Sequence, residues 1–238
     1  MERNNMTPGI FYGVGVGPGD PELLTLQAVR LLEHCPVIAA PQTRDGGMLA
    51  LEIARQAVDL SGKVIVPLSF SMSPDPETRR CAHQAAGAAV RSHLDQGQDV
   101  AMLNLGDVSI YASYRYLMEQ LKTQGYETRM IPGIPSFCAV AAKLGVSLTE
   151  LEQPMQLLPG SGLSEESLRE HLARPGTKVL LKSGRQLPEV LSTLEDMELL
   201  KRSAMVCDCG LPQEQVFSQI DSAVLPEDMG YFTTIVVR

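Results

Sequence analysis

The sequence predicts an α/β protein of two domains, the N-terminal one on a mostly parallel five-stranded sheet and the C-terminal one on a mixed sheet. Three observations carry this. Short β-branched or apolar runs alternate with amphipathic patterns from Gly9 to Ile131, and the rhythm changes after Pro132-Gly133-Ile134-Pro135. The 238 residues, 44% apolar and 20% charged, suit one large core or two of about 110 to 130 residues and exclude a wholly disordered chain.

The elements follow in order. Gly9 to Val16 (GIFYGVGV) reads as a strand, Leu23 to His34 as an amphipathic helix, and Cys35 to Ala40 as a second strand, which together make a βαβ unit. Met48 to Leu60 reads as helix, Lys63 to Leu68 as strand, Pro76 to Gln96 as helix, Val100 to Leu105 as a buried strand, Tyr111 to Thr123 as helix and Glu127 to Ile131 as a fifth strand. Strands separated by helices imply a largely parallel sheet covered on both faces. Ser136 to Leu144 is the next helix. Gln156 to Leu158, Lys178 to Lys182, Ala204 to Cys207 and Thr233 to Val237 are strand candidates, with helices at Glu165 to Ala173 and Leu187 to Met197. The domain boundary falls at the prolines and glycine of 132–135, giving 1–132 and 133–238.

Composition narrows the function. A net charge of -8, no Trp and 5% aromatics argue against a nucleic-acid binder, which needs a basic face and stacking rings. No apolar run approaches the roughly 20 residues that span a bilayer, and MERNNMTPGIFYGVGVG lacks a signal peptide's apolar region, so a cytoplasmic protein without membrane partners is expected. The five cysteines are odd in number and scattered. Cys207-Asp208-Cys209 lacks further ligands at metal spacing, so neither a disulfide framework nor a metal site is expected.

Three turns hold the interest. Gly13-Val14-Gly15-Val16-Gly17-Pro18-Gly19-Asp20 closes the first strand, and its glycines permit close backbone approach to a ligand. The dinucleotide spacing G-x-G-x-x-G fails in both frames, at Pro18 and at Asp20, and no Gly-Lys-Ser/Thr follows for a P-loop. Pro18 and Asp20-Pro21 stand where a pyrophosphate wants bare N–H groups, so a ligand without phosphates fits better. Asn104-Leu105-Gly106-Asp107-Val108-Ser109-Ile110-Tyr111 closes the fourth strand, with Asp107 either a ligand acceptor or, with Ser109, a helix cap. Pro132-Gly133-Ile134-Pro135-Ser136 closes the fifth. All three are expected on one edge of the sheet.

GVGVGPGDPELLTLQAVRLL, LGDVSIY and IPGIPSFCAVAAKLG, in this order, resemble the tetrapyrrole methylase family, and the likeness runs from Gly9 to Val237. Gly46 to Leu51, Phe70-Ser71-Met72 with Asp75, Ser113 to Leu117 and Tyr231 to Ile235 resemble its branch acting on C20 of precorrin-2. The resemblance implies a class III methyltransferase-like fold with the active-site cleft between two α/β domains, S-adenosylmethionine as cofactor, a tetrapyrrole substrate and a homodimer. It implies cofactor contacts at Pro18, Leu105, Gly106, Asp107, Ile110, Pro135, Ser136, Lys182, Leu211 and Thr234. Lys182 departs from the methionine that relatives often carry, and Val108 replaces a common proline.

The implied reaction needs orientation more than acid or base groups, so no catalytic triad is expected. A substrate rich in carboxylates calls for local cations. Arg44, Arg79, Arg80, Arg115, Lys182 and Arg185 are the candidates, with Arg44, Arg185 and the ring of Tyr111 assigned to substrate. Methylation of another tetrapyrrole carbon, or a binding module without turnover, are the alternatives; the failed glycine spacing disfavours a dinucleotide-dependent oxidoreductase.

Overall fold

The computed structural model describes residues 7–220 and 230–238; part of the amino-terminal stretch read above for a leader lies outside them. The chain forms two compact units, 1–135 and 136–238.

In the first unit the strands β1 (Phe11–Gly15), β2 (Val37–Gln42), β3 (Val64–Ser69), β4 (Val100–Asn104) and β5 (Thr128–Ile131) pair in the order β3-β2-β4-β1-β5. Every pairing is parallel. β1 and β4 are buried at all positions, as strands covered on both faces must be. Helices α3 (Pro76–Leu94) and α4 (Tyr114–Thr123) pack Val90, Leu94, Leu117 and Leu121 with Phe11, Val100 and Met102. Helices α1 (Leu26–His34) and α2 (Leu49–Ala57) connect β1 to β2 and β2 to β3. Because the strands are parallel, the turns after β1, β4 and β5 emerge at one sheet edge, on adjacent strands.

Two helices start three residues later than the sequence reading has them. The predicted helix from Leu23 divides: Asp20 caps a 3₁₀ turn at Pro21–Leu23, Leu24 is extended, and Thr25 caps a fresh start by accepting from the Ala28 N–H. Two good cap residues five positions apart start two elements rather than one. The predicted helix from Tyr111 begins instead at Tyr114, because Tyr111 sits at φ +48° and cannot continue a right-handed helix.

The second unit pairs β6 (Met155–Pro159), β7 (Thr177–Leu181), β8 (Ser203–Cys207), β9 (Gln215–Phe217) and β10 (Thr233–Val237) in the order β6-β7-β10-β8-β9. β6 and β7 are parallel and the other pairings antiparallel, so the sheet is mixed. Helices α5 (Ser136–Leu144), α6 (Glu165–Ala173) and α7 (Leu187–Asp196) complete it, and Leu168, Leu172, Val190 and Leu194 pack with Leu158, Leu180, Met205 and Ile235. The edge strand β9 has no counterpart in the sequence reading; three residues are too few to show alternation. No helix among the described residues is long and apolar enough to cross a membrane.

Candidate functional site

The three turns of the first unit are knitted together by their own backbone. Gly17 and Gly106 exchange hydrogen bonds, Gly17 N–H to the Gly106 carbonyl at 3.2 Å and Gly106 N–H to the Gly17 carbonyl at 2.7 Å. Val16 N–H donates to the Asn104 carbonyl at 2.9 Å. Asp107 joins the remaining turn: its Oδ2 accepts from the Gly133 N–H at 2.8 Å, and its Oδ1 accepts from the Ser109 N–H at 2.8 Å and from the Ser109 hydroxyl. Thr25 Oγ1 donates to the Pro132 carbonyl at 3.3 Å.

This geometry revises the reading of the glycines. A Cβ on Gly15 would stand 2.6 Å from the Gly133 nitrogen and 2.7 Å from the Gly106 carbonyl oxygen, and one on Gly133 would stand 2.3 Å from that same oxygen. The close approach that demands glycine here is between the protein's own segments.

Asp107 is likewise no helix cap. Helix α4 starts at Tyr114 after Ser113, so Asp107 and Ser109 serve the loop itself. Burial pushes the Asp107 carboxyl up, but hydrogen bonds from Ser109, Gly133 and Val108 outweigh it and hold the group below its ordinary range. The turn thus carries a fixed negative charge at the sheet edge. In the three turns Leu105, Ile110 and Pro135 are half-buried and Pro18 is buried; Ser136, which opens the second unit, is half-buried. Tyr111 is 52% exposed and sits at φ +48°.

The other expected positions lie in the second unit. Lys182 directly follows β7 at φ +60°. Thr234 is buried in β10, opposite Leu181 on one side and Val206 on the other. Leu211 is half-buried in the turn after β8, where its N–H donates to the Asp208 carbonyl at 2.9 Å. Glu214 steadies that turn by accepting from the Gly210 N–H at 2.7 Å and pairing with Lys143 at 3.0 Å.

The cations proposed for a carboxylate rim separate clearly. Arg80 pairs with Glu77 at 2.5 Å and Arg115 with Glu119 at 2.8 Å, each within its own helix. Arg79 donates to the carbonyls of Ser73 and Pro74, fastening the turn before α3. Arg44 is exposed in the turn after β2, on the same sheet edge as the glycine-rich turns. Arg185 is exposed with its guanidinium carbon 5.2 Å from the ring centroid of Tyr231. The sequence reading assigned no individual role to that tyrosine; its signals were its place before the last strand and its membership of the Tyr231 to Ile235 stretch that carries the resemblance.

Two grooves in the second unit, of about 560 and 1130 Å³, are lined by other residues, the first by Leu163, Gln186 and Thr193, the second by Leu148, Arg202 and Arg238. Among the described residues no group of three or more His, Cys, Asp or Glu side chains could hold a metal ion.

Comparison with known proteins matches this chain to relatives along most of its length. Cobalt-precorrin-2 C(20)-methyltransferase of Salmonella typhimurium is 26% identical over 231 residues, 97% of this chain and 96% of the relative. Precorrin-2 C(20)-methyltransferase of Sinorhizobium sp is 33% identical over 196 residues, 78% of each. Relatives named for other carbons also match, among them precorrin-4 C(11)-methyltransferase of Pseudomonas aeruginosa, 29% identical over 150 residues, 62% of this chain and 52% of the relative. The fold is shared with uroporphyrin-III C-methyl transferase from Thermus thermophilus, solved with S-adenyl homocysteine, at a TM-score of 0.68 and 22% identity over 96% of this chain and 97% of that one. The family model for tetrapyrrole (corrin/porphyrin) methylases matches residues 11–223, and the chain belongs to that family.

Proposed function

We propose that the chain transfers the methyl group of S-adenosylmethionine to C20 of precorrin-2, or of its cobalt-bearing form, in the making of cobalamin. The observation that carries the cofactor class is the state of the turn donors. Gly17 and Gly106 each donate their N–H to the other's carbonyl, and Gly133 donates its own to Asp107. A phosphate needs such donors bare. What the edge offers instead is an ionised carboxylate beside half-buried apolar side chains, which suits an adenosyl group bearing amine and hydroxyl donors and a positive sulfur.

On this reading Pro18, Leu105, Gly106, Asp107, Ile110 and Pro135 hold the cofactor from the first unit, and Ser136, Leu211 and Thr234 from the second. The sulfonium supplies a methyl group already activated for attack. The chain's residues therefore orient the substrate and exclude water, a task in which placement alone is worth up to roughly 7 to 11 kcal/mol. Asp107 contributes by fixing the turns on which the apolar contacts are mounted. The relatives named for C20 that span most of the chain support the choice of carbon. A cytoplasmic homodimer belongs to the same proposal.

The test is incubation with precorrin-2, with and without cobalt, and methyl-labelled cofactor, read by mass spectrometry and NMR. One labelled methyl at C20 is expected. Label at another carbon moves the protein within the family, and its absence with every tetrapyrrole offered defeats the methylase reading. Light scattering in solution checks the dimer.

A further inference from the structure

Three rings gather beside α3 and α4 of the first unit. His83 stacks on Tyr116, with centroids 4.4 Å apart and planes 15° from parallel, and Phe70 lies tilted at 5.8 Å from His83. Core packing does not call for this stack. Helix α4 buries Tyr114, Leu117 and Leu121, whereas Tyr116 falls outside that stripe and is 52% exposed. His83 stands one turn before the buried stripe of α3, which runs through Ala86, Val90 and Leu94. Burial and the nearby Arg79 guanidinium hold the imidazole below its ordinary pKa, so it meets the tyrosine as an uncharged flat ring at neutral pH. With one face on His83, Tyr116 keeps its exposure on its other face and its edges.

The segment that leads to the stack is fastened down. Ser73 N–H donates to Ser71 Oγ at 3.2 Å and Asp75 N–H to Ser73 Oγ at 3.1 Å, and Arg79 ties the carbonyls of Ser73 and Pro74 to α3. Phe70 opens that segment and Met72 stands 67% exposed in it. Of the eight large apolar side chains exposed among the described residues, Met72, Tyr111 and Tyr116 all follow β3 or β4 at the sheet edge that carries the glycine-rich turns. Apolar exposure gathered on one edge marks a binding surface, and a ring already held in place stacks on a conjugated ligand without a further ordering cost.

The sheet order separates this surface from the glycine-rich turns. Those turns leave β4, β1 and β5, while Phe70 follows β3 and His83 belongs to the helix after it; β3 stands two strands, about 10 Å, from β4. An adenosyl group seated on the turns leaves the stack to the broader ligand. We propose that Tyr116, backed by His83 and Phe70, is the face on which the conjugated macrocycle of the tetrapyrrole stacks, an assignment that rests on the substrate class given above. Tyr116 touches the macrocycle. His83 is a positioning residue that holds the tyrosine ring flat.

Uroporphyrin, a planar tetrapyrrole, is the probe, titrated into the full chain as wild type, Tyr116→Phe, Tyr116→Ala and His83→Ala, and followed by fluorescence and by circular dichroism in its Soret band. Leu151→Ala, which trims an exposed apolar side chain of the second unit, is the control. Tyr116→Ala is expected to weaken binding about tenfold, as the loss of one stacking ring does, and to abolish the induced Soret signal. His83→Ala should weaken binding about threefold, while Tyr116→Phe and Leu151→Ala keep both affinity and signal. S-adenosylhomocysteine, titrated calorimetrically, should bind all five proteins alike. The assignment is overturned if Tyr116→Ala binds uroporphyrin with wild-type affinity and signal, if it weakens S-adenosylhomocysteine instead, or if it changes the oligomeric state by light scattering, which would give the ring to a contact between copies. A wild type that binds S-adenosylhomocysteine but not uroporphyrin removes the stacking face and keeps the cofactor; one that binds neither defeats the methylase reading as well.

Discussion

Asp107 and Gly133 stand 26 residues apart and share one hydrogen bond, from the glycine N–H to the aspartate Oδ2 at 2.8 Å. That bond closes the turn after β4 onto the turn after β5, and the Gly17–Gly106 pair closes the same turn onto the one after β1. Asp107→Asn keeps an acceptor but removes the charge, and a hydrogen bond to a charged group is worth about 1.5 to 3 kcal/mol. The variant should lose about that much stability at neutral pH. The pH dependence follows from the depressed pKa. A carboxyl held below its unfolded value of about 3.9 stabilises the fold at higher pH and loses that contribution as pH falls through the folded pKa. The gap between wild type and Asp107→Asn should be constant above about pH 5 and shrink below about pH 4. Urea denaturation from neutral to acid pH measures it; a gap that widens on acidification contradicts the assignment.

The glycines of the turns make a second prediction. Gly15→Ala and Gly133→Ala each drive a methyl into backbone atoms under 3 Å away, which no side-chain rotation relieves. Each should destabilise by about 1 to 3 kcal/mol or more, as overpacking does. Gly62→Ala is the control: at φ +76° it bears backbone strain, but nothing lies within 4 Å of its added methyl. Its cost should stay near 1 kcal/mol, about that of a single left-handed residue. Chemical denaturation ranks the three, and losses at Gly15 and Gly133 no larger than at Gly62 would mean that close contact does not dictate these glycines.

How far the sequence reveals the site depends on the range of the forces involved. Strand and helix positions such as Glu165–Ala173 and Thr233–Val237 are legible because periodicity and capping act over a few residues. The meeting of three turns on one edge is legible too, since parallel strands put their carboxyl ends together. What the turns do to each other is not. Nothing near Gly15 announces that Gly133 packs on it, and nothing near Asp107 announces a partner 26 residues ahead. Arg44, Arg80 and Arg115 look alike in a string of letters; only helical spacing to Glu77 and Glu119 separates the latter two, and only the sheet end gathers Lys182, Arg185 and Tyr231.

Tyr114 offers a test of the first unit's core. Its ring lies flat on Gly13, where a Cβ would come within 2.6 Å of ring carbons, and its hydroxyl donates toward the carbonyls of Phe11 at 3.1 Å and Arg129 at 2.8 Å. Burial pushes the phenol up to about 12, so it remains a donor at all ordinary pH. Tyr114→Phe should cost about 1 to 2 kcal/mol through the lost bond, and Tyr114→Ala about 3 to 5 kcal/mol through the cavity. Gly13→Ala should be rescued in part by Tyr114→Ala, because the methyl then enters the vacated space. A double-mutant cycle in urea reads this, and strictly additive losses would show that the ring is not what excludes a side chain at position 13.

The cysteines test both units through chemistry instead of stability. Cys81 and Cys138 are exposed, while Cys35, Cys207 and Cys209 are buried. The thiolate is the reactive form, so reactivity follows exposure and pKa together. Cys35 is doubly protected: burial pushes its thiol up to about 11, and its Sγ hydrogen lies toward the carbonyls of Val37 and Asp99, at 3.4 and 3.3 Å. At pH 8 only roughly one molecule in a thousand would carry a thiolate there even with open access. Burial also raises the Cys138 thiol, though less, so iodoacetamide should label Cys81 first and Cys138 more slowly. Cys207 accepts the Thr233 hydroxyl at 3.3 Å in the strand layer and should stay unmodified with Cys35 and Cys209 until denaturant opens the fold. Peptide mass spectrometry over a time course follows each site separately. Labelling of Cys35 ahead of unfolding would contradict the packing of the first unit, and labelling of Cys207 that of the second.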